Sequence, residues 1–158
     1  MDADVSLVFE EAKYGVGHGI VIGSRDAERA RANGAEVGAA GAANEDAVRG
    51  VDLVVLAGFM HLLTPAFLER FRERIVNVHP SLLPAFPGAH AVEEQLAAGV
   101  AESGATVHLV DEGVDSGPIL RQERVPVVAD DTPATLHERI KQVEHRLLPE
   151  VVGELCAR

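Results

Sequence analysis

Short apolar runs recur along the chain and alternate with stretches of helical character. Runs over Val5–Phe9, 19–23 and 51–57 predict buried strands, and the last of these is the most continuous. Residues 26–33 are rich in good helix formers, and Gly34 follows them where a helix would end. A near-continuous apolar strand is typical of a parallel sheet that helices cover on both faces. The pattern therefore predicts an α/β, Rossmann-like layered fold with a mostly parallel central sheet.

The second half of the chain continues this alternation. Thr64 and Pro65 predict the start of a helix that runs to about residue 72, and 74–78 predicts a short strand. The remaining predicted elements are a helix over 91–98, strands over 106–110 and 119–128, and a long helix that opens at Thr132-Pro133. Pro149 predicts a kink or a new segment in that last helix. With no internal repeat or linker, the sequence predicts a single domain over residues 1–158.

The net charge and the length of the apolar stretches exclude some classes of partner. The chain has 158 residues, with 25 acidic against 14 basic residues and a net charge of −11. Because it has no Lys/Arg-rich run, we expect neither nucleic acid nor a membrane surface as a partner. The apolar stretch 53–60 is too short to cross a bilayer, which takes about 20 residues. The single cysteine, Cys156, and a start without a leader pattern predict a cytoplasmic protein.

Three polar residues at the end of a predicted strand or in the loop after one are candidates for catalysis. Asn77 and His79 stand two residues apart at a strand end, and Asp115 lies in a loop after another strand. Open α/β sheets bind ligands at that end of their strands. A histidine can hold a proton, a carboxylate can orient it, and an amide can donate to a developing oxyanion. Together these three residues suit acyl-type transfer. From their spacing alone, however, an Asn-x-His pair at a strand end is more often a buried, turn-forming pair than a catalytic one.

Competing chemistries lack their sequence patterns. Ser81 is not set in the Gly-x-Ser-x-Gly turn that exposes a serine nucleophile. The seven histidines do not have the spacing of a zinc site, so we predict no metal. Glycines 15, 17 and 19 precede a strand instead of opening a helix, which indicates a flexible turn more than a phosphate loop.

Several blocks together resemble the formyltransferase family that uses 10-formyltetrahydrofolate. They are LAGFM at 56–60, NVHPSLLP at 77–84, PG at 87–88, His108, and DSGP at 115–118. The resemblance covers about residues 20–152, in order and with family-like spacing. It implies small-molecule substrates, with 10-formyltetrahydrofolate as the co-substrate. It also implies transfer of the formyl group to the amine of glycinamide ribonucleotide, in purine synthesis.

The resemblance implies a role for each catalytic candidate. Asn77 and His79 would stabilise the oxyanion that forms when the amine attacks the formyl carbon. Asp115 would orient the system and relay the proton through water. His108 would support Asp115; its alternative is a buried strand histidine bonded to the backbone.

Binding residues follow from the same resemblance. The pteridine would contact mainly the backbone of Leu62 and of the loop over 110–114. The predicted folate-binding set is Met60, Leu62, Val110, Asp111, Glu112, Gly113 and Val114. For the amine substrate, Lys141 would meet a phosphate, Glu144 the ammonium group, and Pro80 completes the set. A solvent-exposed ion pair is the alternative for Lys141 and Glu144, which are adjacent on a helix surface.

Residues 1–19 depart from the family pattern of a strand, a Gly/Ser/Asn-rich loop and a helix that cradle a phosphate. If Val5–Phe9 is the first strand, residues 10–19 are short for a crossover, which takes about 10 to 12 residues with its helix. We therefore expect an atypical or truncated N-terminal segment, and a homodimer that covers an exposed sheet edge. Two other functions stay open. They are hydrolysis of formyltetrahydrofolate, as in the deformylases that 84–89 also resembles, and folate binding without turnover.

Overall fold

The computed structural model describes residues 53–57 and 62–157 with their side chains, and the backbone of Val5–Phe9 and Val21–Gly23. The predicted helix over 26–33, the glycines at 15, 17 and 19, the connection over 10–19 and Met60 lie outside the described residues. Two compact units divide the chain, one up to Asn77 and one from Val78. The single domain that the sequence predicts stays a prediction.

Parallel strands form the first unit. Strand β1 (Val5–Phe9) pairs in parallel with β2 (Val21–Gly23) on one side and with β3 (Leu53–Ala57) on the other. Strand β4 (Ile75–His79) lies beyond β3 in the strand order and runs across the boundary of the two units. Every residue of β3 is buried, as expected for an inner strand of a parallel sheet. The strand predicted at Val5–Phe9 is thus present and has a partner on each side.

Helix α1 (Pro65–Arg70) begins where the Thr-Pro pair predicts it. The Thr64 hydroxyl accepts a hydrogen bond from the Phe67 amide at 3.2 Å, which satisfies one of the free N–H groups of the first turn. The buried rings of Phe67 and Phe71 pack against each other with centroids 4.9 Å apart. This contact holds the end of α1 in the core of the first unit.

An antiparallel strand pair is the centre of the second unit. Strand β5 (Glu102–Leu109) pairs with β6 (Ile119–Pro126), and helix α2 (Ala91–Ala97) precedes them. The sequence predicts this strand only from Thr106, whereas in the structure it begins at Glu102. A side chain at Gly104 would overlap the Glu123 carbonyl and the Leu82 side chain, so glycine is required where these groups approach the strand.

Helix α3 (Pro133–Cys156) packs on β5, β6 and α2. Thr132 and Thr135 form a capping box at its start, and the predicted apolar face is buried at Leu136, Ile140, Leu147 and Val151, with Val143 half-buried. The helix continues through Pro149, so the new segment predicted there does not form. Strands alternate with helices along the described chain, and the predicted α/β class with a mostly parallel sheet is confirmed. No helix in the described part is both long and apolar enough to cross a membrane.

Candidate active site

His79 ends strand β4 and is buried. Its Nε2 lies 2.8 Å from the carbonyl oxygen of Phe86. Because a carbonyl oxygen only accepts, Nε2 carries a proton and donates it to this bond. The loop that follows the strand therefore turns back and fixes one edge of the imidazole ring.

Asp115 faces the other edge of that ring. His79 Nδ1 lies 3.3 Å from Asp115 Oδ2, and the Gly88 amide donates to the same oxygen at 2.8 Å. The second carboxylate oxygen, Oδ1, lies 3.5 Å from His108 Nε2. A proton on His79 Nδ1 would make the ring an imidazolium paired with the carboxylate, so the pair can hold a proton between them.

His108 contacts the backbone through one ring nitrogen and Asp115 through the other. It is a buried residue of β5 whose Nδ1 lies 2.9 Å from the Leu109 carbonyl oxygen, so this nitrogen donates to the backbone. Its other nitrogen faces Asp115. Two imidazoles thus flank one carboxylate, and each has its far nitrogen bonded to a carbonyl oxygen.

The surroundings of Asp115 shift the pKa of its carboxyl group in opposite directions. Burial raises the pKa of the carboxyl, but hydrogen bonds from His108 and the Gly88 amide, with the charges of His79 and His108, outweigh burial and lower it. Asp115 is therefore ionised at neutral pH. Its backbone has φ of 50°, in the left-handed region that aspartate tolerates better than most residues.

The loop that carries Asp115 is closed by backbone contacts. The Leu109 amide donates to the Pro118 carbonyl oxygen at 2.9 Å, across the base of the loop. At Gly117, an added side chain would overlap the Leu109 carbonyl oxygen. This close approach accounts for the glycine in the DSGP block and holds the strained backbone of Asp115 in place.

Asn77 precedes His79 by two residues on β4 and is half-buried. Alternate residues of a strand point to the same side of the sheet, so the two share a face. The structure thus brings His79, Asp115 and His108 together and places Asn77 on the strand that carries His79. The sequence could not indicate that the Phe86 carbonyl and the Gly88 amide bind the imidazole–carboxylate pair, because backbone groups are the same in every residue type.

The predicted folate loop over 110–114 connects His108 with Asp115 and is organised by Asp111. The Asp111 Oδ1 atom accepts hydrogen bonds from the Gly113 amide at 3.0 Å and from the Ser116 hydroxyl at 2.8 Å. Such a turn presents backbone groups to solvent. Leu62, the other predicted backbone contact, has a side chain that is 85% exposed.

Lys141 and Glu144 lie one turn apart on α3. Burial raises the pKa of Glu144 to about 7, and the positive charge of Lys141 opposes that rise. Glu144 is buried and Lys141 half-buried, so the alternative of a solvent-exposed ion pair is wrong. A buried carboxylate of raised pKa is a frequent property of binding and catalytic sites.

Two further predictions concern Pro80 and metal ions. The Pro80 carbonyl oxygen accepts from the Gln95 side chain at 2.9 Å, which holds the residue after His79 against α2. In the described ranges, 53–57 and 62–157, no group of three or more His, Cys, Asp or Glu side chains is placed to hold a metal ion.

An α/β sheet whose strand end presents a paired imidazole and carboxylate is typical of enzymes that act on small molecules. The family model described as formyl transferase matches residues 5–152. This chain belongs to the formyl transferase family.

Relatives with established names agree with this assignment. The chain is 60% identical over 105 residues to phosphoribosylglycinamide formyltransferase of Mycobacterium tuberculosis, a match that covers 66% of this chain and 49% of that protein. The protein of the same name from Bacillus subtilis is 46% identical over 105 residues, covering 66% of this chain and 54% of the relative. The chain thus spans about half the length of the curated relatives it matches.

Solved structures extend the likeness along the chain. The phosphoribosylglycinamide formyltransferase of Streptococcus pneumoniae superposes with a TM-score of 0.79 at 36% identity, covering 97% of this chain and 98% of that one. A formyltetrahydrofolate deformylase of Pseudomonas syringae has a TM-score of 0.77 at 22% identity and covers 96% of this chain and 60% of its own. At that identity the deformylase shows a shared fold alone.

Proposed function

We propose that this chain transfers the formyl group of 10-formyltetrahydrofolate to the amine of glycinamide ribonucleotide. The observation that carries the proposal is the contact of 3.3 Å between His79 and Asp115 at the end of β4. Family membership and the names of the relatives over 105 matched residues support the choice of substrates. A cytoplasmic location belongs to the same proposal, since a chain with one cysteine makes no internal disulfide. The homodimer stays a prediction.

The reaction requires a donor for the oxyanion and an acceptor for a proton. The substrate amine attacks the formyl carbon, and the carbonyl oxygen gains negative charge in the tetrahedral intermediate. His79 would donate to this charge from Nδ1 as an imidazolium, because Nε2 already donates to the Phe86 carbonyl and the Nδ1 proton is shared with Asp115. The Asn77 amide is the second donor in the proposal. Loss of one such donor typically costs roughly 3 kcal/mol of transition-state stabilisation.

Proton transfer falls to Asp115. The attacking nitrogen becomes positively charged and must lose a proton, while the folate nitrogen must gain one as the carbon–nitrogen bond breaks. An ionised carboxylate can accept the first proton through water, and its low pKa favours passing that proton on. His108 supports this step by contacting the carboxylate oxygen that His79 does not. The products are the formylated amine and tetrahydrofolate.

Substrate binding is assigned to two regions. The backbone of 110–114 and of Leu62, with Met60, would contact the pteridine, because the loop exposes backbone groups beside Asp115 in the sequence. Lys141 would bind the phosphate and Glu144 the ammonium group, and Pro80 lines the amine site. An ionised Glu144 attracts a cation, so amine binding should strengthen as the pH rises through about 7.

A turnover assay of the full chain tests the proposal. The assay follows tetrahydrofolate by absorbance and the formylated amine by mass spectrometry, with each substrate omitted in turn. Formyl transfer predicts product only when both substrates are present. Formate release without the amine would instead identify a deformylase, and folate binding without any turnover would identify a non-catalytic protein. Either result would overturn the proposed function.

A further inference from the structure

The loop over 80–88 is bound by two side chains that are distant in sequence. The Thr106 hydroxyl donates to the Ser81 carbonyl oxygen at 2.6 Å and accepts from the Leu83 amide at 3.2 Å. The Gln122 side-chain amide donates to the Leu83 carbonyl oxygen at 2.9 Å. Three backbone groups at the start of this loop therefore depend on Thr106 and Gln122.

Thr106 and Gln122 also bind each other. They are direct partners in the register of β5 and β6, and the Gln122 amide donates to the Thr106 hydroxyl at 2.8 Å. Thr106 is fully buried, and its hydroxyl makes one donated and two accepted bonds, which is its full capacity. The Thr106–Gln122 pair is thus a fixed attachment point on a strand pair.

Internal bonds connect the start of the loop to its end. The Ser81 hydroxyl donates to the Ala85 carbonyl oxygen at 2.6 Å, and the Ala85 amide donates to the Leu82 carbonyl oxygen at 3.1 Å. These contacts make 81–85 a compact turn. A shift of Ser81 or Leu83 would therefore be passed on to the residues that follow Ala85.

Those following residues hold the candidate active site. The Phe86 carbonyl oxygen accepts from His79 Nε2, and the Gly88 amide donates to Asp115. The loop thus reaches both members of the imidazole–carboxylate pair through its backbone. Neither Thr106 nor Gln122 touches that pair directly in these contacts.

We propose that Thr106 and Gln122 are positioning residues for His79 and Asp115, acting through the backbone of the 80–88 loop. The Thr106–Gln122 pair sets the position of the Phe86 carbonyl, which selects the His79 tautomer, and of the Gly88 amide, which orients the carboxylate. This inference rests on the proposed formyl transfer for its kinetic consequence, but its structural consequence is independent of any activity.

Substitution of Thr106 tests the kinetic consequence. Thr106→Val keeps the shape of the side chain and removes all three hydrogen bonds, while Thr106→Ser restores the hydroxyl. We expect Thr106→Val to lower kcat about 10- to 100-fold with KM values within about threefold, since small displacements of reacting groups cost rate. Thr106→Ser should return kcat to within about threefold of the original. Gln122→Leu should lower kcat in the same way, and it provides the test if Thr106→Val does not fold.

Nitrogen-15 NMR of the histidine rings tests the structural consequence without substrate. The original chain should show His79 protonated at Nε2, and Thr106→Val or Gln122→Leu should shift or broaden that signal. Ser103→Ala is the matched control. Ser103 is a buried hydroxyl on β5 that finds no hydrogen-bond partner among the described residues, and its loss should leave both the His79 signal and kcat unchanged.

The outcomes separate the two proposals. Folded Thr106→Val and Gln122→Leu variants with the original kcat and the original His79 spectrum would overturn the positioning role. An equal loss of kcat in Ser103→Ala would overturn it as well, because any buried change in β5 would then suffice. If the original chain transfers no formyl group, the function proposal fails, and the NMR comparison alone decides the role of Thr106 and Gln122.

Discussion

His79 presents Nδ1 to Asp115 at 3.3 Å while its opposite nitrogen, Nε2, donates to a backbone carbonyl oxygen. A flip of the ring would bring carbon atoms to both partners, so the two contacts together fix one orientation. The carboxylate is held in the same way by the Gly88 amide. These backbone contacts hold both groups in one orientation, which reduces the reorganisation that the proposed reaction requires.

The charge of Asp115 should be essential for turnover. Asp115→Asn keeps the size of the side chain but removes the negative charge and the ability to take a proton. We expect kcat to fall roughly 100-fold or more, measured in the formyl-transfer assay at pH 7.5. Glu102→Gln, which changes an exposed carboxylate at the start of β5, is the control and should leave kcat unchanged. An Asp115→Asn rate within tenfold of the original would contradict the assigned role.

Burial of Glu144 should make stability depend on pH. Its pKa is about 7 in the folded chain against an ordinary value of 4.5, so between these values the folded state binds the proton more strongly than the unfolded state. The stabilising contribution of the protonated carboxyl is complete below about pH 4.5 and is lost as the pH rises through 7.

Glu144→Gln should remove this dependence. The free energy of unfolding of the variant, measured with urea, should rise relative to the original chain by roughly 2 kcal/mol between pH 5 and pH 8. Glu94→Gln on the exposed side of α2 provides the comparison and should track the original chain at every pH. Parallel curves for Glu144→Gln and the original chain would show that the carboxyl titrates normally.

Gly117 should tolerate no side chain, whereas Gly153 should. Gly117→Ala would press a methyl group against the Leu109 carbonyl oxygen and is expected to cost about 2 to 4 kcal/mol of stability. Gly153 lies inside α3 with open space around it, so Gly153→Ala should stabilise by about 0.5 kcal/mol. Thermal unfolding of both variants measures the difference. Equal melting temperatures would contradict the close approach at Gly117.

Removal of the Lys141 charge should weaken binding of the phosphorylated amine. Lys141→Met is expected to raise KM for glycinamide ribonucleotide about tenfold, the typical value of one charge-assisted hydrogen bond, with little change in kcat. The same amine without its phosphate is the control substrate. At pH 8.5, well above the Glu144 pKa of about 7, its KM should be alike for Lys141→Met and the original chain. A tenfold rise for both substrates would indicate that Lys141 acts on the structure and not on the phosphate.

Local signals explain the predictions that the structure confirms. The continuous apolar run of β3, the Thr64-Pro65 start of α1 and the Thr132-Pro133 start of α3 each depend on neighbouring residues, which the sequence contains directly. The ordered blocks around Asn77, His79 and Asp115 identified the family for the same reason. Pro149 shows the limit of local rules, because the packing of α3 on the sheet keeps the helix continuous there.

Contacts between distant segments explain what the sequence left open. Glu144 has the same local sequence whether it is solvated or buried, and only its packing in the second unit raises its pKa. Thr106 and Gln122 carry no motif, and the requirement for glycine at 104 comes from the approach of Leu82 and Glu123.

By itself, the amino-acid sequence determined the alternation of strands and helices, the helix starts and the residue types of the candidate site. Tertiary structure alone decided which groups face each other: the ring nitrogen of His79 that meets Asp115, the second imidazole beside that carboxylate, and the loop bonds to Thr106 and Gln122. The reason is physical. Backbone propensity and capping act over a few residues, whereas hydrogen bonds and charges depend on distances that exist only after the chain has folded.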